Sequence, residues 1–245
     1  MTGGRQADGV LAPAGASTPV PPVPRITVEG VAEPALSVVP ALRFTVRIES
    51  VGGRPIESIA LHAQIRIVTA ARAYDARDRQ RLAELFGGAG ACDAEARGTA
   101  GMGGMGVSGT VPHSMLWTHA SAQVPAFTGA TTAVLPVACT YDFEVAVAKY
   151  FHTLSGGEIP LEFLFNGTIF YLDGDRLQAA MIPWATEAAY RMPLRAWQDM
   201  MDHHFPHSAW LRLGRDVFDR LYAYRVRHAL PTWDDVVGAL LSGGH

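Results

Sequence analysis

The sequence predicts a mainly β, α+β fold, in which an antiparallel β-sandwich carries an inserted helix and a C-terminal helical subdomain. Three observations lead to this class. Apolar and polar residues alternate with a period of two through most of 25–182, turn-forming residues separate these stretches, and a helical period replaces the alternation after Pro193. Seven or eight strands at such short spacing are typical of a sandwich or a strongly twisted sheet.

The alternation is clearest in the first half of the chain. Every second residue is apolar from Leu42 to Ile48, and again from Ile59 to Ile67. Because successive side chains of a strand point to opposite faces, each stretch places one face in a core and the other in water. Further strands are predicted at 26–29, 115–124, 131–139, 161–171 and 177–182, and the last two form a hairpin about Asp173-Gly174. Residues 144–154 fit either a strand or a helix.

Composition divides the chain into three parts. Residues 1–24 are rich in Pro, Ala and Gly and are predicted to be a disordered tail. Residues 25–183 form the sandwich, interrupted by a helix at 75–86, for which Asp75 is a suitable N-cap, and by a Gly-rich loop at 87–110. Residues 184–245 are expected to form the helical subdomain packed on the sheet.

Helical periodicity supports this C-terminal assignment. Pro193 suits the first position of a helix, and Leu194, Trp197, Met201 and His204 then share one face until Pro206 ends it. A second helix is predicted around 217–224, and Thr232 can cap a last one. Four tryptophans lie in this part, and we expect them to pack helices onto the sheet rather than to form a ligand surface: Trp184, Trp197, Trp210 and Trp233.

Charge and composition exclude several classes of protein. The net charge is −3 and the pI is near 6.3, so no basic excess indicates nucleic-acid binding. No uninterrupted run reaches the roughly 18 apolar residues that span a bilayer, and residues 1–24 lack the apolar segment of a secretory signal. Two cysteines, Cys92 and Cys139, cannot build a disulfide framework. These features favour a cytoplasmic protein with free thiols.

Sequence motifs give little support to an enzyme. G-x-S-x-G, H-E-x-x-H, Walker A and C-x-x-C patterns are absent from the sequence. Residues 101–106 satisfy G-x-G-x-x-G, but no apolar strand precedes them and Pro112 follows soon after, so a flexible loop is the better interpretation. No cofactor is therefore expected, and a catalytic role is left open but not favoured.

The densest group of candidate metal ligands is Asp199, His203, His204 and His207. Imidazoles bind zinc or nickel, and Asp199 lies one helical turn before His203. Pro206 interrupts the helix, however, so His203 and His207 need not share a face. A polar helix end, where histidines meet the negative pole of the helix, explains the same residues. Metal binding by this cluster is kept as an alternative.

Four segments resemble an uncharacterised bacterial family: 140–152, 160–171, 197–213 and 218–222. The genes of that family often lie among those of nickel–iron (NiFe) hydrogenases and their maturation factors, and the resemblance covers about 25–241. Gly167–Phe170, Phe205-Pro206, 211–213 and 218–222 are, more weakly, similar to SecB-type export chaperones. The similarity to SecB implies a sheet closed by two helices that can hold apolar segments. The family resemblance implies a gene neighbourhood and supplies no catalytic residue.

Together these observations predict a non-catalytic accessory or chaperone-like protein that binds another polypeptide during hydrogenase assembly. The expected partner is a protein, such as a hydrogenase subunit or maturation factor. Two alternatives stay open. The first is a nickel or zinc carrier, or a metal-dependent enzyme, that uses the 199–207 cluster. The second is a structural subunit of a larger complex.

Overall fold

The structure, a computed structural model, describes residues 20–87, 112–139, 146–206, 208 and 213–243, with the backbone alone for 84–87. These residues form eight strands, five α-helices and one turn of 3-10 helix at Thr69–Ala71. The strands are β1 Val23–Ala32, β2 Ala41–Val51, β3 Ser58–Ile67, β4 Met115–Val124, β5 Ala130–Ala138, β6 Glu158–Asp173, β7 Arg176–Met181 and β8 Glu187–Pro193. The helices are α1 Ala76–Gly87, α2 Ala146–Thr153, α3 Leu194–His204, α4 Arg215–Arg227 and α5 Trp233–Ser242.

Two antiparallel sheets pack face to face, which confirms the predicted mainly β, α+β fold. The first sheet has the order β1-β2-β5, and the second has the order β4-β3-β6. Strand β6 is 16 residues long, so its free side accommodates two partners. β8 pairs with 158–164 of β6 and β7 pairs with 168–173.

The core lies between the two sheets, as the alternation predicts. Leu42, Phe44, Val46 and Ile48 of β2 are fully buried, and the inward residues of β3 and β6 pack opposite them. The Phe44 ring lies at the centre of this layer and contacts Phe163 edge to face, at 5.2 Å between centroids. Such aromatic pairs prefer this geometry because the ring edge is electropositive and the ring face electronegative.

One end of the sandwich is closed by α2 and α3. Here β3, β5 and β8 end and β2, β4 and β6 begin, as the strand registers require. Phe151 of α2 lies 5.2 Å from both Trp117 of β4 and Trp197 of α3, measured between ring centroids. Trp197 is 3% exposed and confirms the prediction that it packs α3 onto the sheet. The open choice for 144–154 is settled as a helix for the described residues 146–153.

Several local predictions hold and one strand was missed. The backbone N–H of Asp78 donates to Asp75 Oδ1 at 2.6 Å, so Asp75 caps α1 as expected. Thr232 and Asp235 form a reciprocal capping box at the start of α5. Strand β8 was not predicted, because its short alternation lies directly before the helix that Pro193 introduces. Pro193 is the N-cap of that helix rather than its first residue.

Some sequence predictions fall outside the described residues. These are 1–19 of the predicted tail, 88–110 of the Gly-rich loop with its Gly-x-Gly motif, Cys92, His207 and Trp210. Strand β1 begins at Val23, just inside the stretch predicted as tail. Within the described part of the chain, no helix has the length and apolar character that crossing a bilayer requires.

We predict that Gly167→Ala destabilises the fold by about 3 kcal/mol. Gly167 has a φ of +141°, and a Cβ there would lie 2.0 Å from the Ala60 carbonyl oxygen of the paired strand β3. The backbone of two central strands would have to separate. Urea unfolding measures the effect, and Gly30→Ala is the control because nothing lies within 4 Å of its added Cβ. Equal stability of the two variants would contradict the prediction.

We also predict a pH dependence that arises from His152 on α2. Its ring meets Trp197 edge-on at 4.7 Å, and burial lowers the pKa of His152, while the Asp202 carboxylate partly opposes this shift. Since the unfolded chain then binds the proton more readily than the folded one, the free energy of unfolding should fall as the pH drops below about 6.5. Denaturation at pH 8 and pH 5.5 measures this fall in the free energy of unfolding, which should be smaller in His152→Gln than in the unsubstituted protein.

The control for this measurement is His62→Gln, since His62 is exposed on β3. That variant should keep the pH dependence of the unsubstituted protein. If His152→Gln kept it as well, the assignment to His152 would be wrong.

Candidate functional site

The predicted histidine cluster lies at the C-terminal end of α3, where a glutamate from another part of the chain joins it. His203 Nδ1 is 2.7 Å from Glu33 Oε1, and His204 Nε2 is 3.4 Å from the same oxygen. The two imidazole rings stack, with 5.3 Å between centroids and 28° between planes. Glu33 directly follows β1, so this contact ties the β1–β2 connection to the end of α3.

The cluster is smaller than the sequence predicted. Asp199 is exposed on α3, and His207 lies outside the described residues. Among the described residues, no group of three or more His, Cys, Asp or Glu side chains is arranged to hold a metal ion. His203 hydrogen-bonds to Glu33, whereas the buried Nε2 of His204 has no hydrogen-bond partner among the described residues. Sequence patterns around the histidines did not identify Glu33 as their partner, because Glu33 lies 170 residues from His203 along the chain.

A second polar cluster surrounds Arg72, between the 3-10 turn and α1. The Arg72 side chain is 8% exposed and its guanidinium faces Asp78, which is 4% exposed, at 3.5 Å. Arg72 also donates to the carbonyl of Glu158 at 2.7 Å and to that of Gly156. Asp78 in turn accepts from the backbone N–H and the hydroxyl of Ser155, both at 3.0 Å.

These contacts join α1 to the segment between α2 and β6. An open hollow of about 420 Å³ lies beside the cluster, with Asp75, Glu158 and Arg191 among its lining residues. Arg72 and Asp78 are engaged with each other and with the backbone, so they have little capacity left for a substrate. We therefore assign a structural role to the Arg72 cluster, which positions the inserted helix.

The C-terminal helical hairpin of α4 and α5 exposes many large apolar side chains. α4 has no buried residue, and α5 buries only Val236. Eight large apolar side chains are between 38% and 76% exposed. We call these residues the hairpin surface: Val217, Phe218, Tyr222, Val226, Trp233, Val237, Leu240 and Leu241.

Aromatic contacts hold the two helices of the hairpin together. The Trp233 ring lies 5.3 Å from Phe218 and 6.4 Å from Tyr222. Arg225 covers Trp233 at 5.0 Å and donates to the carbonyls of Leu230 and Pro231 at 3.1 and 2.6 Å. Thus one guanidinium joins α4, the turn and α5.

Trp233 stabilises the hairpin, whereas Trp184 is 94% exposed, so the prediction that the tryptophans pack helices on the sheet is wrong for Trp184.

The hairpin has the features of a binding surface. α4 has seven apolar or aromatic residues and six charged ones, and most of the apolar side chains lie on one side of the helix. Its 13 residues and the 10 of α5 are too few to form stable helices on their own. Exposed apolar clusters of this kind mark interaction sites on soluble proteins. The hairpin surface is therefore the strongest candidate functional site in the described residues.

Comparison with known proteins agrees with part of the resemblance found in the sequence. No curated protein matches the chain. The solution structure of a putative late embryogenesis abundant (LEA) protein matches at 15% identity and a TM-score of 0.27, over 70% of this chain and 72% of that one. A model of a family of unknown function, DUF6084, matches residues 22–100 and 102–245. This match confirms an uncharacterised family, while the hydrogenase gene setting and the SecB similarity stay predictions. The chain belongs to the DUF6084 family.

Proposed function

We propose that this protein is a non-catalytic accessory protein that binds another polypeptide through the hairpin surface. The observation that carries the proposal is that α4 has an apolar side and yet has no buried residue. A helix of this composition gains stability when a partner covers it. The two polar clusters described above instead make structural contacts, those of Arg72 with Asp78 and of His203 with Glu33.

The strength of the hydrophobic contribution favours a reversible complex. Burying the exposed half of each of the eight side chains contributes about 1 kcal/mol, or roughly 8 kcal/mol in all. Association itself costs about 4–15 kcal/mol. The hairpin surface alone therefore supplies at most about 4 kcal/mol of net binding free energy, which corresponds to a dissociation constant near 1 mM and to ready release of the partner. The resemblance to a family encoded beside hydrogenase genes suggests the subunits of a NiFe hydrogenase as the bound polypeptides.

We predict that the purified full-length chain binds the large or small subunit of a NiFe hydrogenase from its own genome, or an unfolded model chain such as reduced, carboxymethylated α-lactalbumin. The double variant Val237→Ser/Leu241→Ser should weaken binding at least tenfold, because both side chains lie exposed on α5. Fluorescence anisotropy with a labelled partner measures the dissociation constant.

The matched control is Leu177→Ser/Met181→Ser, which removes two comparably exposed side chains from strand β7. It should leave binding within about twofold of the unsubstituted protein. Absence of binding to every probe would refute the proposed function. If both double variants lost the same affinity, the binding site would not lie on the hairpin surface. A complex that never dissociates would indicate the alternative, a structural subunit of a larger complex.

A metal carrier is the second candidate, and the position of Glu33 is the observation that favours it. Glu33 Oε1 lies close to both His203 and His204, which brings one carboxylate and two imidazoles together. Carboxylate and imidazole ligands suit zinc or nickel, although these three side chains are not arranged to hold an ion by themselves. A further ligand would have to come from outside the described residues, and the sequence offers His207.

If this second candidate is right, the protein should take up stoichiometric Zn²⁺ or Ni²⁺ in a calorimetric titration. His203→Ala, which removes an imidazole, should abolish uptake. The control His62→Ala removes an exposed histidine on β3 and should change nothing. Uptake that is absent, or equally strong in all three proteins, would exclude a metal site at this position.

A further inference from the structure

Strand β7 leaves one edge of the second sheet open. Among the described residues, β7 pairs with no strand except β6. Directly after the strand, the Ile182 N–H donates to the Gly167 carbonyl at 3.0 Å. Because the direction of hydrogen bonding alternates along an antiparallel strand, the even-numbered residues of β7 direct their N–H and C=O groups at β6. The backbone groups of Leu177, Ala179 and Met181 therefore point to the open edge.

Apolar side chains lie beside this open edge. Leu177 and Met181 are 62% and 69% exposed, and the exposed Leu172 is the direct cross-strand partner of Leu177, on the same outer face of the sheet. Trp184, three residues beyond the strand, is almost completely exposed. We call these four residues the β7 patch. Exposed apolar residues next to an unpaired strand edge favour pairing with another chain.

β7 also lacks the features that protect the edge strands of monomeric proteins. Such edges usually carry charged side chains or proline, which prevent pairing with a second chain. From 177 to 181 the strand reads Leu-Gln-Ala-Ala-Met and contains neither. β8, the other strand on this side of β6, differs, because it exposes Glu187 and Arg191 and packs against β1. Of these two edges, β7 is the one suited to accept a further strand.

We propose that the β7 edge pairs antiparallel with the β7 edge of a second copy of the chain, so that the protein is a two-fold symmetric dimer. The edge is self-complementary about Ala179. With the two-fold axis at this residue, Ala179 faces its own copy and Leu177 faces Met181 of the partner subunit. Apolar side chains thus meet apolar side chains, and the small alanine side chains allow close approach at the axis.

This register satisfies the backbone of the open edge. The N–H groups of Leu177, Ala179 and Met181 in each copy reach carbonyls of the same three residues in the other copy, as in any antiparallel ladder. Since both copies use the same edge, the contact closes on itself and stops at two chains. The self-complementary pattern is the reason for assigning a second copy, rather than a segment of another protein, to this edge.

The dimer is independent of the proposed function. The β7 patch and the hairpin surface share no residue, and the hairpin surface stays accessible in each copy when the strands pair. The exposure of Trp184, which no contact within the described residues explains, also acquires a reason. Trp184 lies next to the edge at which the second copy is bound.

Sedimentation equilibrium of the full chain measures the oligomeric state. We expect a dimer at micromolar concentration. Ala179→Lys should weaken the dimer at least tenfold, because it places like charges directly opposite each other at the axis. The matched control is Ala189→Lys, which adds the same group at an exposed alanine of β8 and should leave the dimer unchanged. A chain that is monomeric, or a dimer that both variants weaken equally or neither weakens, would overturn the proposal.

Cysteine cross-linking tests the register in a chain that carries Cys92→Ser and Cys139→Ala. Ala179→Cys should form an intermolecular disulfide, since directly paired Cα atoms lie about 5.5 Å apart, within the span of a disulfide. Leu177→Cys should not cross-link to itself but should do so to Met181→Cys after subunits of the two variants exchange. Non-reducing gels after mild oxidation measure the yield. Equal yields from Ala179→Cys alone and Leu177→Cys alone would contradict pairing about Ala179.

A last comparison separates the dimer from the hairpin surface. Val237→Ser/Leu241→Ser should leave the dimer intact, and loss of the dimer in this variant would place the contact on the hairpin and overturn the proposal. Binding of the unfolded model chain is measured on the same samples. If the unsubstituted protein is a dimer that binds no chain, the proposed function fails and the dimer stands.

Discussion

The structure depends above all on the pairing of β6. This strand has β3 along one side and both β8 and β7 along the other, so it joins the whole second sheet. Its inward residues, among them Phe163 and Phe165, pack against β2 of the first sheet through Phe44. Close pairing with β3 is possible only because Gly167 has no side chain at a backbone position that approaches the Ala60 carbonyl. Strand β6 thus makes hydrogen bonds with three strands of its own sheet and also packs against the other sheet.

Closure of one end of the sandwich follows from this arrangement. Strands that begin or end together leave an apolar opening between the sheets, and α2 and α3 fill it with Tyr150, Phe151, Trp197 and Met200. The Tyr150 hydroxyl lies 2.8 Å from that of Tyr74, and burial raises the pKa of Tyr150 strongly. Since the Arg72 cluster holds α1 beside α2, polar contacts around the rim support the aromatic packing inside.

The hairpin surface has a different physical origin. The sandwich buries its apolar residues without help from α4 and α5, whose principal contacts within the described residues are with each other. Stability of the core therefore does not require the hairpin to lie on a sheet. The Thr232 capping box and the contact of Arg225 with Trp233 stabilise the two helices, while the apolar side chains of these helices stay accessible. A pre-formed helical surface loses less conformational entropy when a partner binds.

The sequence by itself determined the fold class and most of the elements, because period-two alternation, the Asp173-Gly174 turn and the caps at Asp75 and Thr232 are local properties of the chain. It also identified His203 and His204 as candidate ligands. Only the tertiary structure showed that Glu33 meets these histidines, that Trp117, Phe151 and Trp197 pack together, and that β8 pairs with β6. Each of these contacts joins segments far apart in the chain. Their proximity follows from how sheets and helices pack, which spacing along the sequence does not encode.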